Sequence, residues 1–144
     1  MPDQRATAGQ RQAVLERASG CCEYCKSQAR FATQSFSIEH IIPQQSSGET
    51  SLDNLALACQ GCNNHKYTKT EARDPVSDSS VPLYHPRQQH WHDHFAWNDD
   101  FTLIVGLTPV GRATLQALHL NRPELVNLRR VLYALGEHPP VEID

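Results

Sequence analysis

Four cysteines stand in two pairs, Cys22-Glu23-Tyr24-Cys25 and Cys59-Gln60-Gly61-Cys62, with 33 residues between them. Each pair can place two thiolates on one ion, and two such pairs supply the four sulfurs of a closed tetrahedral zinc site. The competing readings are a pair of redox dithiols or incidental buried thiols. A single C-x2-C is common, whereas two with Gly61 and Asn63 beside the second are not, so a structural zinc staple is expected. Cys21, directly before Cys22, cannot follow the same geometry and reads as a spare thiol.

Between the pairs lie Glu39-His40, Asn54 and, just past the second pair, Asn63 and Lys66. A neutral imidazole can take a proton from water near neutral pH, and a carboxylate offers a hard oxygen suited to magnesium or manganese. Phosphodiester hydrolysis needs an activated water, neutralised charge on phosphorus and help for the leaving 3′ oxygen. Neighbours on a regular strand face opposite sides, so Glu39 and His40 converge only where the strand ends or twists, and Pro43 follows soon after. Taken alone, a Glu-His pair is more often a surface or core feature, and Asn54 a turn residue or helix cap.

The order Glu39-His40-Ile41-Ile42-Pro43, Asn54-Leu55, then Cys59-Gln60-Gly61-Cys62-Asn63-Asn64-His65-Lys66 resembles the HNH endonuclease family. The intervals, 13 residues from His40 to Asn54 and 8 from Asn54 to Asn63, fit that pattern, and the resemblance spans about residues 8–70. It implies an α+β fold built on a small ββα-metal core with a four-cysteine zinc site. It also implies His40 as general base, Glu39 and Asn63 as ligands of a catalytic magnesium or manganese ion, Asn54 as the residue holding the His40 loop, and Lys66 near a phosphate. Glu39 stands where many members have Asp, and Asn63 where the family name has His, giving an H-N-N variant. His65 is expected to face solvent.

The elements that must carry these residues are legible in outline. Residues 8–18 suit a short amphipathic helix ending near Ser19-Gly20. The β-branched and aromatic residues from Phe31 to Ile42 argue for one or two strands, Leu55 to Ala58 run into Cys59, and Asn63 to Glu71 suits a short helix. The stretch 74–82, rich in Pro, Ser and Asp, reads as a surface connection, dividing a nuclease core at 1–73 from an extension at 74–144 packed on it. In that extension His94–Trp97 and Phe101–Val105 flank a three-residue loop, as in a hairpin, and helices open at Thr108-Pro109 and at Asn121-Arg122-Pro123. On a strand, His90, His92 and His94 would share one face. The aromatic neighbours Trp91, Phe95 and Trp97 favour a packing ribbon over a second metal site. Arg112, Arg122, Arg129 and Arg130 read as solvated more readily than as phosphate contacts.

The chain has 144 residues with 13 Lys and Arg against 16 Asp and Glu, a formal charge of −3, so no polybasic tail announces a nucleic acid or a membrane. No apolar run approaches the roughly 20 residues of a membrane span, and no signal peptide is recognisable, which leads to the expectation of a cytoplasmic protein. The leading expectation is a metal-dependent endonuclease acting on DNA. The alternatives are a non-catalytic zinc-knuckle module binding nucleic acid or protein, and a thiol redox protein. Only the enzyme needs Glu39, His40 and Asn63 together, and retained zinc counts against the redox reading.

Overall fold

In a computed structural model, residues 5–141 are described. Helix α1 (Ala8–Arg17) starts at a reciprocal cap: Thr7 Oγ1 accepts from Gln10 N–H and the Gln10 side chain accepts from Thr7 N–H. It ends where Ser19 and Gly20 take positive φ, 52° and 70°, and the chain turns into the first cysteine pair. Strands β1 (Ser37–His40) and β2 (Leu55–Ala58) pair antiparallel with Ser37 opposite Ala58 and His40 opposite Leu55. Helix α2 (Gln60–Lys66) follows β2 directly, with Cys59 as its N-cap. Together β1, β2 and α2 form the expected ββα unit.

Strand β2 is buried on both faces, which explains its uninterrupted apolar run. Leu55 and Leu57 pack with Val14 of α1 and with Ile38, while Ala58 joins the main core. Alternation therefore sends Ile38 and His40 of β1 toward one side of the ribbon and Ser37 and Glu39 toward the other.

The main core joins both halves of the chain: Cys22, Tyr24, Cys59 and Cys62 lie in one cluster with Leu83, Tyr84, Trp91, Phe95, Ile104, Leu118 and Leu125. Residues 71–82 are not a plain connection. They form a hairpin of β3 (Glu71–Arg73) and β4 (Ser80–Pro82). Asp74, expected on the surface, is wholly buried and accepts from Arg112 Nε and Nη2, both at 2.9 Å.

His90, His92 and His94 do not lie along a strand, because α3 (Trp91–His94) is a single helical turn. The following hairpin pairs β5 (Phe95–Trp97) with β6 (Ile104–Gly106), so its loop runs over 98–103 and is longer than the three residues expected. Asn98 Oδ1 accepts from the backbone N–H of Thr102 and Leu103, both at 3.0 Å, which organises that longer loop and removes Phe101 from the strand. Helix α4 (Pro109–Ala117) is capped by Thr108 Oγ1, and α5 (Pro123–Ala134) begins on its proline and is followed by Gly136 at φ 74°. No helix among the described residues is long and apolar enough to cross a membrane.

Candidate metal centre and active site

The sulfurs of Cys22, Cys25, Cys59 and Cys62 all lie within 4.8 Å of one another, and all four residues are buried. Cys25 Sγ and Cys59 Sγ, from different pairs, are 3.7 Å apart. Tetrahedral zinc with Zn–S bonds of about 2.3 Å separates its sulfurs by about 3.8 Å, so the donor set fits the ion in number, chemistry and spacing. Within each pair a backbone N–H supports the first sulfur: Cys25 N–H donates to Cys22 Sγ and Cys62 N–H to Cys59 Sγ. The first pair is fastened to β2 through Glu23, whose N–H donates to Leu57 O at 2.9 Å and whose Oε2 accepts from Leu57 N–H at 2.8 Å.

Arg122, whose sequence position suggests a solvated side chain, lies over this centre instead. Its Nη2 donates to Cys59 Sγ at 3.3 Å and its Nη1 to Cys62 Sγ at 3.6 Å. Four thiolates around a divalent ion leave excess negative charge, which the guanidinium offsets. Gly61 makes room for it, since a Cβ there would come within 2.4 Å of Nη2. Arg129 is likewise enclosed, donating to Thr102 O and Leu120 O, whereas Arg130 is exposed.

At the other end of α2 an open cleft of about 600 Å³ runs beside β1. Glu39, His40 and Asn63 line it, together with Arg5, Arg11, Gln44 and Tyr67. His40 Nε2 is 2.8 Å from Thr50 Oγ1 and 3.2 Å from Gln44 Nε2, and Gln44 Nε2 donates to Thr50 Oγ1 at 3.1 Å. These contacts fix the orientation of the imidazole. Thr50 and Gln44 carry no sequence signal of their own beyond lying in the polar loop after Pro43.

Asn54 closes that loop. Its Oδ1 accepts from Ile42 N–H at 2.8 Å, and its Nδ2 donates to Ile42 O and Glu49 O, both at 2.9 Å. Gly48 sits so close that a Cβ would fall 1.7 Å from Ile42 O, so no side chain fits at this position. The loop between β1 and β2 is thereby tied across its base, next to His40.

Glu39 and Lys66 occupy different surroundings from those the resemblance implies. The Glu39 carboxylate is buried and accepts from the Tyr24 hydroxyl and, at 3.1 Å, from Lys66 Nζ. Lys66 also donates to Ile41 O at 2.8 Å and is 1% exposed, so its ammonium is enclosed by protein and not presented to a phosphate. The cause is alternation on β1: Glu39 faces α2 and the Tyr24 ring, away from the face of His40. Burial pushes the Glu39 carboxyl up, against the opposing pull of the Lys66 ammonium and the Tyr24 hydroxyl. Burial, then the adjacent Glu39 charge, raises the Tyr24 hydroxyl well above its ordinary value. Among the two expected oxygen ligands, Asn63 is half-buried on the cleft, whereas both Glu39 oxygens already have donors.

Residues 22–69 match the HNH endonuclease family model, a third of the chain that begins at Cys22 and ends just past the cleft. No curated protein matches the chain. The matched segment contains both cysteine pairs, the paired strands and α2, the parts that build the metal centre and the cleft. Over residues 22–69 the chain is similar to the HNH endonuclease family, and nuclease chemistry is the function that this similarity supports.

Proposed function

We propose that the protein hydrolyses phosphodiester bonds of DNA in the cleft beside β1, with His40 as the general base. The observation that carries this reading is that His40, held by Thr50 and Gln44, shares one cleft with Asn63 and two arginines. The neutral ring takes a proton from water, the water oxygen bonds to phosphorus, and the P–O3′ bond breaks with its electron pair leaving on the 3′ oxygen. Arg5 and Arg11 supply positive charge for the flanking phosphates. Asn63 would hold a magnesium or manganese ion through its amide oxygen, and such an ion would neutralise charge on the phosphoryl group. Asn54 positions the loop, and Glu39 with Lys66 positions β1 against α2. Zinc at the four cysteines is structural.

The engagement of both Glu39 oxygens thins the set of hard ligands, and this favours one competing reading, a zinc module that binds nucleic acid without cutting it. Supercoiled plasmid incubated with the protein across a panel of divalent metals separates the two. Open circles are expected with magnesium or manganese and not with a zinc-replete His40→Ala preparation. Full nicking by that variant, free of contaminating nuclease, would overturn the assignment.

A further inference from the structure

Tyr67, the residue after α2, has φ 49° and ψ −116°. These are the angles of the first central residue of a type II′ turn, and the turn is closed by Lys69 N–H donating to Lys66 O at 2.9 Å. Glycine is the ordinary occupant of that position, because a Cβ there is strained. The Tyr67 ring gains no packing in return: it is 75% exposed, and no ring among the described residues stacks on it. A bulky aromatic therefore occupies a glycine position at the edge of the cleft that Asn63 also lines.

Around it the cleft is cationic. Arg5 and Arg11 line it, and the carboxylate of Glu39 is already paired with Lys66. Phosphates match the arginines, and the heterocycle attached to them matches an exposed ring face. A base inside a duplex has both faces covered by its neighbours, so it can lie on the Tyr67 ring only where it is unpaired and unstacked.

We propose that Tyr67 is a stacking platform for an unpaired nucleobase beside the phosphate at His40, so that the preferred substrate is single-stranded or locally opened DNA. This rests on the nuclease reading of the cleft, and binding can be measured apart from cutting. An end-labelled single-stranded oligonucleotide and its blunt duplex are titrated with zinc-replete protein by fluorescence anisotropy, with calcium as the only added divalent ion. The wild-type protein is expected to favour the single strand. Tyr67→Phe keeps that preference. Tyr67→Gly weakens single-strand binding about ten-fold, the scale of one lost base stack, with little change for the duplex. Because glycine relieves the turn, the same variant should unfold at a higher temperature, an outcome that a merely structural tyrosine would not pair with weaker binding.

Unchanged single-strand affinity in Tyr67→Gly, an equal loss in Tyr67→Phe, an equal loss on the duplex, or a wild-type preference for duplex would each overturn the platform. Tyr67-dependent single-strand binding by a protein that nicks nothing would leave the platform standing and remove the nuclease. Nicking with Tyr67-independent binding would do the reverse.

Discussion

The two ends of α2 are built for different work although seven residues span them. At the N-terminal end Cys59 and Cys62 are buried, receive hydrogen bonds from Arg122 and the backbone, and belong to a core that draws on both halves of the chain. At the C-terminal end the helix passes from the buried Lys66 to the exposed Tyr67 within one residue, and the cleft opens there. A closed end can be rigid because its buried sulfurs are held by protein donors. An open end must leave groups facing water for a substrate to meet. Damage at the first should therefore appear as unfolding, and damage at the second as lost chemistry on an intact fold.

The sharpest test of the closed end is Cys59→Ser. It removes one of the four clustered sulfurs, which is also the N-cap of α2 and an acceptor for Arg122. Structural zinc binding is worth about 10–16 kcal/mol in small domains, comparable to the whole stability of a typical fold. Elemental analysis of the wild type is expected to give close to one zinc per chain. The variant is expected to lose that zinc together with its cooperative unfolding transition. A zinc-free variant that still melts cooperatively near the wild-type temperature would show that the centre is dispensable.

Lys66 lies near the cleft, yet it should behave like the closed end. With the Lys66 and Glu39 side chains only 2% and 5% exposed, Lys66→Met leaves a buried carboxylate without its ammonium, a change that costs about 3–5 kcal/mol. The loss should be full at neutral pH and shrink as pH falls, because the raised Glu39 carboxyl takes up a proton in the fold before it would in the unfolded chain. Joining Lys66→Met with Glu39→Gln removes both charges and should recover much of the loss. Denaturant unfolding at two pH values checks this. Unchanged stability with weakened DNA binding would return Lys66 to a phosphate-contact role.

At the open end, His40→Ala is expected to keep zinc and melting temperature while the rate of plasmid nicking falls by a factor of about 10² or more. Rate should rise with pH as the imidazole becomes neutral.

How far these assignments could be read beforehand follows the same division. The cysteine pairs declare themselves because ligand spacing is local, and the starts of α4 and α5 because proline and a capping hydroxyl are local. The Glu39–Lys66 pair depends on how α2 lies across the strands, a relation between residues 27 apart. One signal was available: Lys66 follows Cys62 by four residues, so a helix that turns Cys62 inward turns Lys66 inward too. The β3–β4 hairpin escapes a reading by composition because its strands have three residues each and its turn is organised by Asp74, whose main partner, Arg112, is remote in sequence. Arg122 escapes for the same reason, as nothing around it marks a thiolate 60 residues earlier.

A control belonging to neither end is the Asp74–Arg112 pair, which ties the β3–β4 turn to α4. The Arg112 guanidinium holds the Asp74 carboxyl well below the usual carboxylate range against the push of burial, with the Ser77 hydroxyl and the Val76 and Ser77 amides assisting. A carboxyl lowered in the fold contributes stability that is fully present above its unfolded pKa, ordinarily 3.8, and is lost as pH falls through the folded value. Asp74→Asn should therefore be less stable than wild type by an amount that stays flat between about pH 8 and pH 5, where Asp74 is ionised in both states. Lys66→Met should instead show a difference that shrinks as pH falls, because burial raises the Glu39 carboxyl. Zinc content and the nicking rate per folded molecule should not change in Asp74→Asn. If its stability difference instead narrows across that interval, Asp74 titrates well above its ordinary range, and Arg112 is not what holds it ionised.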